Sequence, residues 1–340
     1  MRIRGLGRLR VVAGKVQNRL SPGTVVLLYH RVADLPVDPL LLSVTPAHFE
    51  EHLQVIARIA TPLSLRSLSD SLQSRTVTKH GVVVTFDDGA ADNLHNAKPL
   101  LERYNIPATV FVATEYAKGE REFWWDELER IFLTPGKLPA ELSINIDGKK
   151  SSWNITPDFS DARWNVLDTN TPTSRHQVYK ELGESLRLMS TAERFAIIAD
   201  LRQWSGLDHE PRESHRALSI DEIRQLASGG LVEIGAHTVT HPVLSAIPAD
   251  KQEEEIKQSK LRLEEILDQP VESFAYPYGT RDDYNRVSVD LVKQMSFKCA
   301  CSNFTGVVQP GTPPYELPRF VVRDWDGAEF ERNLRGWFRG

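Results

Sequence analysis

An α/β fold on parallel strands is predicted by three observations. Short apolar runs alternate with helical patterns over most of the 340 residues, the rhythm of a parallel sheet with crossover helices. Two of those runs end abruptly in polar motifs, Asp87-Asp88-Gly89 and His237-Thr238-Val239-Thr240-His241. The rhythm breaks once, over residues 116–215.

The elements follow in order. Thr24–Tyr29 is an apolar strand ending at His30. Thr45 and Pro46 open a helix, as N-cap and first-turn residue, and Leu63–Ser74 reads as a second helix. Gly81–Phe86 is a β-branched run with the character of a strand buried on both faces. A helix over about 92–104 and a strand, Ala108–Ala113, come next. Within the break, Phe123–Leu128 starts a helix, and Leu142–Ile146 and Ser152–Ile155 flank an Asp147-Gly148 hairpin turn. Helices are expected near 174–189 and 191–204. The alternation resumes at Ser219, which opens a helix with an acidic first turn. Then come the strand ending in the His motif, a charged helix over 249–268 and the strand Val271–Tyr276. A helix near 284–296, strands Lys298–Ser302 and Leu317–Val322, and a last helix after Asp326-Gly327 complete the chain. Seven expected strands thus lie in 24–115 and 216–338, read as one unit, with 116–215 as an insertion or lid.

Composition narrows the class. With 41% hydrophobic and 26% charged residues, neither disorder nor a membrane bundle is indicated. A net charge of −5 gives no reason to expect nucleic acid. The two cysteines, Cys299 and Cys301, are expected on opposite faces of a strand and therefore unbridged, which suits a reducing, cytoplasmic compartment. Residues 1–23 carry Arg2, Arg4, Arg8, Arg10, Lys15 and Arg19 and no acid. They read either as a solvated basic arm or as a helix resting on the inner membrane surface.

The motifs carry the chemistry. Two carboxylates at the end of a buried strand need partners: one can hold a metal and the other can take a proton. Two imidazoles four residues apart face one ion if their loop makes one helical turn. Two His and one carboxylate are a common ligand set for a catalytic Zn²⁺, with one position left open. Tyr276-Pro277-Tyr278-Gly279 reads as a tight loop at a strand end, able to aim a backbone N–H at a developing oxyanion.

Together these motifs stand in an order that resembles the polysaccharide deacetylase family, the carbohydrate esterases with the NodB-homology domain. The resemblance spans roughly 24–115 and 216–338. It implies a distorted (β/α) barrel that removes N- or O-acetyl groups from sugars with one divalent metal. It implies Asp87 as catalytic base, Asp88, His237 and His241 as metal ligands, and the Tyr278 N–H as oxyanion donor. Zn²⁺ is the expected ion, with Co²⁺, Ni²⁺ and Mn²⁺ as alternatives.

Two departures stand out. Ala275 occupies a position where the family often has an Arg that steadies the catalytic Asp. Arg319 is the first candidate to replace it, and Arg323 the second. No His follows His241, whereas the family's last strand carries one as general acid. His30 ends an apolar strand of the same type, so it is assigned as the acid in a circularly permuted barrel with first and last strands side by side. The Asp expected to tune that His is Val321 here. Arg323-Asp324-Trp325 is similar to the family's Asp-Trp motif. Trp124, Trp125, Trp325 and Tyr278 are the candidate substrate contacts. The substrate expected is an N-acetylated sugar of a bacterial cell-surface polysaccharide, or a glycolipid precursor of one. The alternatives are a small amide and a non-catalytic glycan-binding role.

Overall fold

The computed structural model describes residues 23–119, 121–146, 148–159, 164–208 and 210–339. The basic stretch 1–23 lies, apart from its last residue, outside the described residues.

Seven parallel strands form the main sheet. They are β1 (Thr24–Tyr29), β2 (Gly81–Phe86), β3 (Ala108–Val112), β4 (Val232–Ala236), β5 (Ser273–Ala275), β6 (Cys299–Cys301) and β7 (Phe320–Val321). Their spatial order is β6-β5-β4-β3-β2-β1-β7, with the short Thr61–Pro62 added beside β2. The edges approach each other: Leu317, just ahead of β7, bridges Cys301 in parallel. The sheet therefore curls into the distorted barrel the sequence predicts. β1 pairs with β2 on one side and β7 on the other, the adjacency that a permuted order would require of this chain.

Strand side chains alternate between two cores. Val25, Leu27, Tyr29, Val82 and Val84 face the helices and join the large outer cluster. Val26, Val83, Phe111 and Ala275 belong to an inner cluster, plugged by Leu65 and Leu68 of the helix Leu65–Gln73. Both cysteines belong to that inner cluster and are free. They do not face apart as expected, because residues two apart on a strand share a face.

The helices begin where capping chemistry places them. Thr45 caps α1 (Pro46–Ile59) by accepting from the His48 N–H, and Ser64 caps α2 (Leu65–Gln73). The expected helix over 92–104 is divided: Asn93–Ala97 is a π-turn leading into α3 (Lys98–Tyr104). Segment 116–215 contributes α4 (Trp124–Phe132), the hairpin Glu141–Ile146 with Lys149–Asn154, α5 (Ser174–Leu188) and α6 (Thr191–Ser205). Its apolar residues form a separate cluster around Leu128, Phe132, Leu182 and Leu201. The remaining helices, α7 (Ile220–Ala227), α8 (Ala249–Leu267), α9 (Arg286–Gln294) and α10 (Gly327–Arg339), cover the barrel. No described helix is long and apolar enough to cross a membrane.

Candidate active site and metal centre

The C-terminal ends of β1, β2, β4 and β5 deliver His30, Asp87-Asp88, His237 and Tyr278 to one cleft of about 510 Å³. Parallel strands all end on the same side of a sheet, so residues far apart in sequence converge there.

Asp88, His237 and His241 are buried, and one donor atom from each lies within 4.8 Å of the others. Asp88 Oδ1 is 3.6 Å from His237 Nε2 and 3.4 Å from His241 Nε2. Among the described residues that oxygen has no hydrogen-bond partner. Burial, and then the neighbouring Asp87, push the Asp88 carboxyl well above its ordinary range. Burial pushes both imidazoles down. A buried carboxylate oxygen without a partner, facing two neutral imidazole nitrogens, is a donor set that fits a divalent cation. His237 Nδ1 is 2.8 Å from the Ala275 carbonyl, to which it donates, which turns Nε2 toward the site.

The loop carrying the two imidazoles is not the expected helical turn. Thr238 and His241 take φ of 66° and 58°, and the segment has no helical assignment. Glu255 of α8 shapes it instead. Its carboxylate accepts from the N–H groups of Val239 and Thr240 at 2.8 and 2.9 Å and from the Thr240 hydroxyl at 2.6 Å. Thr238 Oγ1 accepts from the His241 N–H. Asp88 and Tyr278 also have left-handed φ, 73° and 59°. A non-glycine residue there costs about 1–3 kcal/mol, so strained backbone is gathered around this site.

Asp87 is held apart from the ligand set. Arg319, wholly buried, grips it with two parallel contacts, Nη1 to Oδ1 and Nη2 to Oδ2, both 2.7 Å. Arg319 Nε donates to the Ser302 carbonyl at 2.8 Å and Nη1 also to Thr85 Oγ1 at 3.2 Å. Burial pushes the Asp87 carboxyl up, but Arg319 and His237 prevail and hold it below its ordinary value. The guanidinium absent at Ala275 is thus supplied from the segment before β7. Arg323 instead donates to the carbonyls of Leu40 and Leu41.

His30 lines the same cleft. Its carbonyl accepts from Asn93 Nδ2 at 2.9 Å. Burial pushes its imidazole down to about 4, against the pull of Asp87. At neutral pH it is therefore neutral, not protonated as an acid stored in advance. Val321, paired in register with Leu28, also lines the cleft.

Tyr278 sits in a tight loop whose Gly279 N–H bonds the Pro277 carbonyl at 2.6 Å. No hydrogen bond among the described residues takes the Tyr278 N–H. Asn303 secures this loop: its side chain donates to the Tyr278 carbonyl at 3.0 Å and its N–H to Gly279 at 2.7 Å. Arg187, paired with Asp283, lies 4.6 Å over the Tyr278 ring.

Trp124 and Trp125 line the cleft but are only 5% and 7% exposed. Trp125 stacks on Phe123 at 4.5 Å and meets the His241 ring edge-on at 5.1 Å. The expectation for Trp325 fails. It lies outside the cleft lining, 6.1 Å from Trp337 among the apolar residues around α10. Its neighbour Asp324 bonds Thr45 and His48 at the start of α1, which draws the Asp-Trp pair away from the mouth. Sequence reasoning missed Glu255, Asn303 and Arg187, which tertiary structure brings in without any motif.

Comparison with known proteins agrees with this geometry. The family model for polysaccharide deacetylases matches residues 74–135 and 207–300. No curated protein matches the chain by sequence. The deacetylase PplD of Streptococcus pyogenes, solved in complex with acetate, is 18% identical with a TM-score of 0.58, covering 92% of this chain and 99% of that one. IcaB from Ammonifex degensii is 18% identical with a TM-score of 0.57, covering 94% and 98%. A de-N-acetylase from Aggregatibacter actinomycetemcomitans is 15% identical with a TM-score of 0.56, covering 92% and 99%. At such identities the structures speak for the fold, whereas the family match falls on both arms of the barrel and takes in the Asp-Asp and His motifs. Over those two stretches the chain carries the sequence pattern of the polysaccharide deacetylase family.

Proposed function

We propose that the protein is a metal-dependent N-deacetylase acting on an N-acetylated sugar of a bacterial cell-surface glycan or its lipid-linked precursor. One observation carries the reading: the partnerless Asp88 Oδ1 faces two imidazoles beside a second carboxylate clamped by Arg319. Asp88, His237 and His241 would hold the ion, with Zn²⁺ the favoured occupant for two nitrogens and one oxygen. The cation supplies Lewis-acid polarisation of the acetyl carbonyl and the attacking water.

The chain's own groups do the rest. Asp87, kept ionised by Arg319, accepts the proton of the attacking water. The free Tyr278 N–H donates to the oxyanion that develops on the acetyl oxygen. His30 hands a proton to the departing amine. Because burial keeps it neutral beforehand, the proton it hands over is the one that Asp87 takes from the attacking water, so the base is regenerated and the protons balance. Residues 116–215 serve as one wall of the cleft and limit which sugars enter. The breadth of the cleft favours a sugar over a small amide, and the complete set of Asp87, Asp88, His237 and His241 favours catalysis over mere binding.

The test is acetate release from a panel of N-acetylated glycans, with and without a chelator. Release that stops with chelator and returns with Zn²⁺ is expected. His237→Ala should lose the metal by elemental analysis. Full occupancy in that variant, or release indifferent to chelation, refutes the reading.

A further inference from the structure

Helix α5 forms part of the cleft wall opposite the barrel. Lys180, Gly183, Glu184 and Arg187 line it, and their spacing of three, four and seven residues is that of one helix face. The opposite face is fixed in the core of segment 116–215, where Val178, Leu182 and Leu186 are at most 1% exposed. Lys180 and Glu184 on the cleft face can turn aside about their rotatable bonds, whereas Arg187 is held by Asp283 and the Tyr278 ring. At position 183 there is nothing to turn.

Neither backbone nor packing calls for glycine there. Gly183 is absent from the residues with positive φ. A Cβ added to it would meet no heavy atom within 4 Å. Glycine is the weakest helix former after proline, so an alanine would fit and would favour the helix. What glycine does provide is a bare turn of helix on the cleft wall, with Lys180 and Glu184 beside it.

We propose that Gly183 sets the bore of the cleft and is a specificity-determining residue. A pyranose unit adjoining the acetylated one lies with its C–H face on this bare turn, its hydroxyls toward Lys180 and Glu184, and a side chain at 183 excludes it. The proposal rests on the deacetylase reading and narrows its substrate to an acetylated oligomer rather than a single sugar.

The test compares Gly183→Ala, Gly183→Leu and Gly336→Leu. Gly336, in α10, is a matched control: it has no positive φ, its Cβ would meet nothing within 4 Å, and it lies outside the cleft lining. Acetate release is followed from a set of N-acetylated oligosaccharides and from an activated aryl acetate, alongside thermal melts. Gly183→Ala should melt no lower than the parent. Gly183→Leu should melt like Gly336→Leu and hydrolyse the aryl acetate within about twofold of the parent, while kcat/KM on the best oligosaccharide falls about tenfold or more, chiefly through KM. Equal change on both substrates, or an unchanged oligosaccharide rate, overturns the proposal. A parent that deacetylates only monosaccharides also overturns it and leaves the deacetylase reading standing. A parent that releases no acetate from any glycan overturns both.

Discussion

The barrel and segment 116–215 both bury charge, to different ends. In segment 116–215, acids of and beside α4 meet arginines directly: Glu122 and Glu129 share Arg212 at 2.7 and 2.8 Å, and Glu127 meets Arg202 at 2.7 Å. None of these residues lines the cleft. In the barrel, Asp87 is gripped by Arg319 and still lines the cleft, and Asp88 faces the cleft with an oxygen that, among the described residues, has neither a hydrogen-bond partner nor an arginine beside it. Charges that close on one another hold structure together. A buried charge left open toward a cavity is placed for a ligand or a reaction.

The largest effect should come from opening the closed pair in the barrel. Arg319→Ala leaves the Asp87 carboxylate buried without its guanidinium, an expected loss of about 3–5 kcal/mol in denaturant unfolding together with loss of activity. Adding Asp87→Asn to Arg319→Met should recover much of the stability and none of the activity. Parent-like unfolding of Arg319→Ala would break the comparison, because the pair would then hold nothing.

Next is the wall that joins the two regions. Trp125 packs on Phe123 and on the His241 ring, so it serves the core and the site together. Trp125→Ala should lose about 3 kcal/mol of stability along with turnover. Turnover lost with unchanged unfolding would show a sugar contact in place of a packing residue.

A smaller effect should follow from the loop that carries the imidazoles. Glu255→Gln keeps the size of the side chain but splits the carboxylate that accepts three hydrogen bonds from residues 239 and 240. Metal affinity, read by competition with a chelator, should fall about tenfold with the fold retained. An unchanged affinity would show that strain at Thr238 and His241 is held without Glu255.

These residues also mark what was legible beforehand. Asp87, Asp88, His237 and His241 stand at the ends of apolar runs, so their pattern was visible as a linear motif. Arg319 was visible only as a candidate for a missing partner, since the spacing between residues 87 and 319 carries no local signal. His30 was placed by the likeness of its strand, but its charge state depends on burial that no motif records. The helical turn drawn for the His loop was wrong because Glu255, fourteen residues beyond His241 in another element, stabilises left-handed backbone instead. Trp325 looked like part of a motif and was drawn off by the contacts of its neighbour Asp324. Gly183 was silent, because its meaning lies in the space beside it.

The effect that shrinks to nothing at low pH tests the insertion's side of the comparison, at an acid there that is not closed. Asp126 follows the two tryptophans. Among the described residues no hydrogen bond or ion pair reaches its carboxylate, in contrast to Glu127 beside it. Burial pushes Asp126 up to about 8, with Arg31 opposing and Glu122 and Glu129 adding to the rise. The sign of the consequence is set by which state holds the proton. Below about pH 4 the folded and unfolded chains both keep it, and the group contributes nothing. As pH rises from there, the unfolded chain loses the proton while the folded one retains it, so stability falls until the folded group ionises near pH 8. Above that the deficit is constant. Asp126→Asn removes this dependence. It should therefore match the parent near pH 4 and become progressively more stable than it up to pH 8, measured by urea unfolding across that range. Glu127→Gln should behave differently, because it also gives up the Arg202 contact, and its loss should persist where the carboxylate would have been ionised. A flat difference between Asp126→Asn and the parent across pH 4–8 would mean that this acid, too, is closed on a partner, and the two regions would then differ only in the barrel's open Asp88.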